Sequence, residues 1–172
     1  MDPLDGRIGE AWSGEVPNGS HVNVVVGRRG SPTAAAVVGA LASPRPGHLP
    51  FLVCLEHNTV VLPLTVCVNK VAAEVDSAEA RLVWGAAQIG IAQGVLDAVA
   101  EGVLDAAEVP ELVLLVAVWV DPAASDETAL RVANREATRA AIVDAVSLAS
   151  ADEVRALAGR REEARNAYYG GT

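Results

Sequence analysis

Runs of apolar, often β-branched residues bounded by turn signals predict five strands in this chain. They cover residues 7–16, 21–27, 51–55, 64–71 and 112–120. A turn at Pro17-Asn18-Gly19 joins the first two strands, and a polar turn at Glu56-His57-Asn58 follows the third. The run from 112 to 120 is apolar throughout, which is typical of a strand that is buried on both faces of a sheet.

Between and after the strands, apolar positions recur at helical spacing. A short helix is predicted over 33–42, and its almost wholly apolar composition predicts that it is buried. A long helix begins at a capping box of Asp76 and Glu79 and ends at Gly102. A further long helix covers 126–149. One stripe of the first long helix repeats every fourth residue, at Val83, Ala87, Ile91, Val95 and Val99.

The interleaving of strands and helices predicts an α/β (α+β) two-layer domain. The chain has no internal repeat and no linker, so residues 1–172 are expected to form one domain. A last helix follows a capping box of Ser150 and Glu153. The polar, glycine-ended segment 162–172 is expected to be a frayed tail.

Composition and charge narrow the classes of function. Hydrophobic residues make up 51% of the chain but aromatic residues only 3%, so the core is built from small aliphatic side chains. Such side chains bury little area each, which favours an oligomer. The formal net charge of −9 argues against a nucleic acid or an anionic membrane as partner. The first residues do not form a secretory signal, and the longest apolar run is too short to span a bilayer.

The cysteines and histidines do not indicate a metal site or a disulfide. Cys54 and Cys67 lie inside apolar runs and are expected to be buried free thiols, which favours the cytoplasm. No cysteine and histidine pairing at ligand spacing occurs, so no metal site is predicted. His48 lies in a Pro/Gly loop and His57 in a polar turn, and both are expected to be exposed.

The segment Gly27-Arg28-Arg29-Gly30-Ser31-Pro32 lies between a strand and a helix, where an anion can bind. It matches no phosphate-binding motif, and Pro32 lacks an amide donor, so a structural turn is favoured over an anion site. Ser31 is a suitable N-cap for the helix, and Pro32 is a suitable first residue.

Three other residues carry candidate chemistry. His21 begins a strand beside a flexible turn, so it either faces a cleft as an acid–base group or is simply hydrogen-bonded. Lys70 interrupts an apolar strand in a chain that otherwise uses arginine, so it either reaches water at the strand end or points into a site that needs a cation. Gln88 follows Ala87 of the helical stripe and faces either the core margin or a pocket.

Several segments of the chain form a recognisable series. They are Arg7-Ile8-Gly9-Glu10-Ala11, His21 after a glycine turn, Gly27-x-Arg29-Gly30-Ser31-Pro32, Asn69-Lys70-Val71, Gly85-Ala86-Ala87-Gln88, Ala98-Val99-Ala100-Glu101-Gly102 and Glu136-Ala137-Thr138. The series runs from about Arg7 to Val146 nearly without gaps, and it resembles the formaldehyde-activating enzymes.

This resemblance implies a lyase of one-carbon metabolism that condenses formaldehyde with its co-substrate tetrahydromethanopterin, giving the methylene adduct and water. It implies a fold like the second domain of ribosomal protein S5, with a left-handed βαβ crossover. It also implies a homopentamer or decamer with pterin sites between subunits. His21 matches the family's proton donor, and Leu52, Lys70 and Gln88 match its pterin contacts.

The chain departs from the family at other contacts. Asn23 stands where the family has an aspartate, and Ala72 where it has a threonine. The family's His-Trp pair is replaced by Asp121-Pro122, and its Tyr-x-Tyr by residues 132–135. The pattern is that of a divergent paralogue, and three hypotheses follow. The chain catalyses the family reaction, or the same carbinolamine dehydration on another amine or reduced pterin, or it is a non-catalytic oligomer that binds a pterin or an aldehyde adduct.

Overall fold

A mixed sheet forms the centre of the protein. The computed structural model describes residues 4–147 and 149–165. The strands are β1 (Arg7–Ser13), β2 (Ser20–Arg28), β3 (Phe51–Leu52), β4 (Cys54–Glu56), β5 (Thr59–Val60), β6 (Leu64–Asn69) and β7 (Leu112–Val120). Five of them form one sheet in the order β1-β2-β7-β6-β3, and β4 pairs with β5 in a separate hairpin. β6 and β7 are parallel, and the other pairs are antiparallel.

The helices are α1 (Pro32–Leu41), α2 (Ala78–Leu82), α3 (Gln88–Ala100), α4 (Glu127–Val146) and α5 (Ala151–Gly159), with short 3-10 turns at Val109–Glu111 and Arg161–Glu163. α1 lies on one face of the sheet and α3 and α4 lie on the other, whereas no residue of α5 is buried. A π-helical turn, Val83–Ala87, joins α2 to α3. This helix connects the parallel strands β6 and β7, so the unit is a βαβ crossover. The predicted α/β (α+β) class is therefore confirmed as a mixed α/β fold. The predicted two layers are corrected, since α1 packs on the face of the sheet opposite to α3 and α4.

The main core lies between one face of the sheet and the pair α3 and α4. Alternate residues of the central strands point into it, and Val22, Val24, Val116 and Val118 are fully buried. The helices approach each other closely because α3 carries glycine where α4 crosses it. This packing fixes the positions of the strands on which the candidate site is built.

The opposite face of the sheet is only partly covered. α1 lies over one end of it, where Ala34 and Val37 pack with Val66 and Val113. Towards the other end, alternate residues of β1, β2 and β7 are half-buried or exposed in the described part of the chain. We call this region the open face; its residues are Glu10, Trp12, His21, Asn23, Ala117 and Trp119, together with Lys70, which follows β6.

Several predicted elements are corrected by the structure. β1 ends at Ser13 rather than at residue 16, because Gly14 takes a φ of +79° and turns the chain. The predicted strand 51–55 is split at Val53 into β3 and β4. β7 is buried on both faces only at its start, since Leu115 and alternate residues after it are half-buried on the open face.

The helix predictions need similar corrections. α1 is only partly buried; Ala34 and Val37 are its buried residues and Val38 is 52% exposed, because this helix covers only one end of the sheet. The N-cap of α2 is Ser77 rather than Asp76, and its hydroxyl accepts from the Ala80 amide. The helix predicted over 126–149 ends at Val146.

Other helix boundaries are confirmed. Ser31 and Ser150 cap α1 and α5, the latter through a full capping box with Glu153. Gly102 adopts the left-handed φ of +72° just after α3. Residues 166–172 of the predicted frayed tail lie outside the described residues.

One helical segment, Ala78–Ala100, is long and apolar enough to cross a membrane by length and composition alone. Within the protein, 56% of its apolar window is buried, and its stripe at Val83, Ala87, Ile91 and Val95 packs into the core. This position is that of a core helix.

Candidate active site

His21 lies in a row of large side chains across the open face. Its register partners are Trp12 on β1 and Trp119 on β7, so all three residues share one side of the sheet. The two tryptophan rings lie 5.4 Å apart, centroid to centroid, with a tilt of 38°. The His21 side chain is 34% exposed and therefore accessible to a small molecule.

Both ring nitrogens of His21 have a partner. The Nδ1 atom lies 2.8 Å from Lys70 Nζ, which also donates to the His21 carbonyl oxygen at 3.3 Å. The Nε2 atom lies 3.4 Å from Glu10 Oε2. His21 thus stands between an amine and a carboxylate, which is a suitable arrangement for moving a proton.

Lys70 is directed to this position by the end of β6. Its amide donates to the Val118 carbonyl at 2.7 Å, which continues the β6–β7 pairing by one residue beyond the strand. Burial lowers the pKa of the Lys70 amine, and the nearby Glu10 carboxylate opposes that shift. A protonated amine and a protonated imidazole would repel each other at 2.8 Å. The Lys70–His21 contact is therefore favourable when one group is neutral and accepts a hydrogen bond from the other.

Asn23 acts on the same carboxylate. It pairs with Glu10 across β1 and β2, and its Nδ2 donates to Glu10 Oε2 at 3.2 Å. The amide therefore holds the Glu10 carboxylate on the side of His21 Nε2. Three of the predicted site residues, His21, Asn23 and Lys70, are thus brought together, with Glu10 between them.

Leu52 and Gln88 form a second group. Gln88 is the first residue of α3; its Oε1 accepts from the Cys54 amide at 3.1 Å, and its Nε2 donates to the Trp84 carbonyl at 2.6 Å. Together with Leu52 and the β4–β5 hairpin, it lines a cleft that opens to solvent. Of the two positions open to Gln88, the structure supports the pocket.

The two groups are well separated within one chain. Leu52 lies on β3, three strands from β2, which corresponds to about 14 Å across the sheet. Ala72 joins neither group, because it is exposed beyond β6 and packs beside Gly47. The predicted site residues are therefore divided between the open face and the Gln88 cleft.

The other candidate residues have structural roles. His48 is half-buried rather than exposed, since its Nδ1–H donates to the Asn69 carbonyl at 2.8 Å and holds its loop against β6. His57 is exposed, as predicted. Both cysteines are free; Cys67 is buried, which raises the pKa of its thiol, whereas Cys54 is only half-buried.

The glycine segment before α1 is a structural turn. The Asp5 carboxylate accepts hydrogen bonds from the Ser31 hydroxyl at 2.6 Å, the Arg28 amide at 2.9 Å and the Thr33 hydroxyl at 3.2 Å. These bonds lower the pKa of Asp5. A carboxylate of the chain itself thus occupies the place at the helix start where an anion would bind. Within residues 4–147 and 149–165, no group of three or more His, Cys, Asp or Glu could hold a metal ion.

Glu10, Trp12 and Trp119 were not predicted as site residues. Glu10 and Trp12 lie two residues apart on β1, and side chains at this spacing in a strand point to the same face of the sheet. The missing information was the register, since only strand pairing shows that this face meets His21. Trp119 was hidden by the continuous apolar run of β7.

The sequence of the chain is similar to proteins of one known family. A family model described as formaldehyde-activating enzyme (Fae) matches residues 8–168. A protein of Methanosarcina barkeri named 5,6,7,8-tetrahydromethanopterin hydro-lyase is 38% identical over 143 residues, which cover 83% of this chain and 80% of the relative. A bifunctional enzyme Fae/Hps of Archaeoglobus fulgidus is 36% identical over 139 residues, which are 81% of this chain but only 35% of the relative. The chain thus spans about a third of the bifunctional relative.

Proposed function

The chain belongs to the formaldehyde-activating enzyme family, and from this premise we propose that it condenses formaldehyde with tetrahydromethanopterin, with His21 as the proton donor. The observation that supports this role is the placement of His21 on the open face, accessible and held between Lys70 and Glu10. The M. barkeri relative is named for the same pterin.

The chemistry needs one well-placed acid. A pterin nitrogen adds to formaldehyde and gives a carbinolamine, whose hydroxide is a poor leaving group. The Nε2–H of His21 donates a proton to that oxygen and water departs. The second pterin nitrogen then closes on the iminium carbon and gives its proton back to His21. Imidazole is suited to this step because it gains and loses a proton near neutral pH. Because amines add to formaldehyde unaided, positioning supplies much of the remaining acceleration.

Glu10 and Asn23 position this acid. The Glu10 carboxylate lies 3.4 Å from Nε2 in the resting arrangement and, being 68% exposed, can move aside when the carbinolamine oxygen approaches. Asn23 restrains the carboxylate by its hydrogen bond, so the His21 ring keeps one orientation. Lys70 occupies Nδ1, which leaves Nε2 as the nitrogen that faces substrate.

We place the complete pterin site between two copies of the chain. Leu52 and Gln88 lie too far from His21 to contact a ring bound there, so the cleft of one copy is proposed to meet the open face of the next. Large apolar side chains are exposed on β1 and its turn, with Ile8 at 66%, Trp12 at 47% and Val16 at 69% exposure. A homo-oligomer, a pentamer or a decamer, would cover them.

The first test measures the loss of free formaldehyde with tetrahydromethanopterin. His21→Ala is expected to lower the rate by about 10²-fold or more, the usual contribution of a positioned acid. The control is Arg155→Ala, since Arg155 is 75% exposed on α5 and belongs to neither group of site residues, and this variant should behave as wild type. A His21→Ala variant that is folded and as fast as wild type would exclude His21 as the acid.

A mixing experiment tests the shared site. Neither His21→Ala nor Gln88→Ala should turn over alone, whereas an oligomer assembled from both contains interfaces with an intact His21 and an intact Gln88. Activity that appears only after co-assembly supports a site between copies. If the mixture never exceeds the sum of the two variants, both residues act within one chain.

A second acceptor is favoured by the changed contacts. Asn23 and Ala72 replace an aspartate and a threonine that contact the pterin in the resembling family, so the same dehydration of a carbinolamine is also proposed for another reduced pterin or amine. Formaldehyde loss with a panel of such amines tests this.

We also propose that the fold is like the second domain of ribosomal protein S5, with a left-handed crossover. A cytoplasmic location is proposed as well, because it suits two free cysteines.

A further inference from the structure

Lys70 differs from the other basic residues of the chain in its side-chain chemistry. Of the 13 Lys and Arg residues, it is the one lysine. Primary amines add to formaldehyde, whereas the guanidinium of arginine stays protonated and is a poor nucleophile. The chain thus offers formaldehyde a single side-chain amine, and this amine lies beside the proposed acid.

The surroundings of Lys70 also differ from those of the arginines that form ion pairs. Arg135 and Arg139 pair with Asp97 and Glu101, and the exposed Arg155 pairs with Asp152. In the part of the chain that the structure describes, no carboxylate oxygen lies within 4.0 Å of Lys70 Nζ, whose partners are the Nδ1 atom and the carbonyl oxygen of His21. An amine with this partner can pass its proton to the imidazole and become nucleophilic.

From these contacts we propose that Lys70 is a covalent formaldehyde site, at which its Nζ forms an iminium with formaldehyde before the methylene group passes to the acceptor amine. This inference rests on the proposed function, since it places a carrier step in that reaction. It assigns Lys70 a role as catalytic nucleophile rather than as a cation that only contacts the acceptor.

The steps balance in atoms and protons. Lys70 Nζ gives one proton to His21 Nδ1, and the free amine attacks the formaldehyde carbon; proton transfer from nitrogen to oxygen gives the carbinolamine. His21 returns a proton to the hydroxyl oxygen, the C–O bond breaks, and water leaves the iminium. One nitrogen of the acceptor then attacks the methylene carbon, Lys70 departs as an amine, and the second nitrogen closes. Lys70 regains its protons from the two acceptor nitrogens, and no oxidant or reductant is consumed.

Other features of the site agree with this step. Burial lowers the pKa of the Lys70 amine, which raises the fraction present as free base. Trp12 and Trp119 flank His21 and offer an apolar surface on which water is less concentrated, so an iminium there is hydrolysed more slowly.

Reductive trapping tests the proposal. The full-length protein is incubated with formaldehyde and cyanoborohydride, which reduces an iminium to a methylamine, and the sites are found by peptide mapping. The internal control is an Arg155→Lys variant, which adds a lysine at a position 75% exposed on α5. Because acid–base assistance is worth about 10²-fold, Lys70 is expected to be methylated at least about tenfold faster than Lys at 155.

Three further arms complete the test. His21→Ala should slow methylation of Lys70 but not of the lysine at 155, and tetrahydromethanopterin should protect Lys70 by removing the methylene group. Lys70→Arg keeps the positive charge but cannot form the iminium, so it should retain pterin binding and lose turnover. Equal methylation of both lysines, or a Lys70→Arg variant with wild-type kcat, would overturn the covalent role.

The same data separate this proposal from the proposed function. Preferential methylation of Lys70 without any pterin-dependent formaldehyde loss supports the covalent site and excludes tetrahydromethanopterin as acceptor. Pterin-dependent turnover that survives in Lys70→Arg supports the proposed function and refutes the covalent site.

Discussion

The sharpest test of the packing beneath the site is Gly90→Ala. Gly90 is buried on α3, and a Cβ built there would lie 2.3 Å from the Arg131 carbonyl oxygen and 2.7 Å from the Asn134 Cβ. Real Cβ atoms essentially never approach other atoms within 3.0 Å, and here the nearest atom belongs to the backbone. The substitution therefore forces α3 and α4 apart by about 1 Å, which removes a large part of the dispersion energy at that contact.

The magnitude follows from two opposing effects. Overpacking of this kind costs about 1–3 kcal/mol, and the upper half of that range applies because a helix backbone, not a side chain, must move. Replacing glycine by alanine inside a helix returns about 1 kcal/mol. The free energy of unfolding is therefore expected to fall by about 1–2 kcal/mol, which corresponds to roughly 2–8 °C in Tm for a chain of this length.

The matched control is Gly39→Ala. Gly39 lies inside α1, is exposed, and has no atom within 4 Å of a built Cβ. The same chemical change should raise the free energy of unfolding there by about 0.5–1 kcal/mol. Urea denaturation followed by circular dichroism, at one fixed protein concentration, measures both variants.

A consequence for activity is also expected. Gln88 lies two residues before Gly90 on the same helix, so displacement of α3 moves it away from the Cys54 amide. Gly90→Ala should thus weaken pterin-dependent turnover, whereas Gly39→Ala should not. The reasoning is refuted if Gly90→Ala is as stable as wild type while Gly39→Ala gains stability as expected.

Three further predictions concern charge and thiols. Glu10→Gln removes the carboxylate 3.4 Å from His21 Nε2, an interaction of about 1 kcal/mol at a solvated site, so turnover should fall roughly fivefold. It should also speed trapping of Lys70, because Glu10 raises the pKa of that amine; unchanged trapping would contradict this. Arg135→Ala removes the hydrogen bonds that lower the pKa of Asp97, and this pair stabilises the fold above the pKa that Asp97 has when unfolded. Denaturation should show a small loss of stability at neutral pH that disappears as the pH falls through the lowered pKa; a loss that persists in acid would contradict the assignment. A thiol reagent should modify half-buried Cys54 in the native protein and Cys67 only after unfolding, and Cys54→Ser, which should not react when native, is the control.

The sequence predicted the elements better than their packing. β7 was predicted with its observed bounds, and the caps at Ser31 and Ser150 were identified, because these signals are local in the chain. The exposure of α1 was mispredicted, since apolar composition does not reveal how much of a sheet a helix covers. The end of β1 depended on the backbone angle of Gly14, which composition does not specify.

For the site, too, local features were predicted and long-range contacts were not. His21 and Lys70 were candidates from residue type and position, but their contact joins residues that lie 49 positions apart. It forms because β2 and β6 both pair with β7, one antiparallel and the other parallel. Gln88 and Leu52 were matched by resemblance, yet the structure places them in a separate cleft. Residue types thus indicate which groups carry chemistry, and the strand order decides which of them meet.

The strand order also gives a physical meaning to Asn23, which stands where the resemblance implies an aspartate. Asn23 lies directly opposite Glu10, and its amide donates to the Glu10 carboxylate at 3.2 Å. An aspartate at this position would place two carboxylates side by side, and their repulsion is relieved only by a proton or a cation. With asparagine, Glu10 is the one carboxylate of the two that acts on Lys70, so less negative charge raises the pKa of that amine. The change therefore favours the neutral, nucleophilic amine that a covalent formaldehyde site requires.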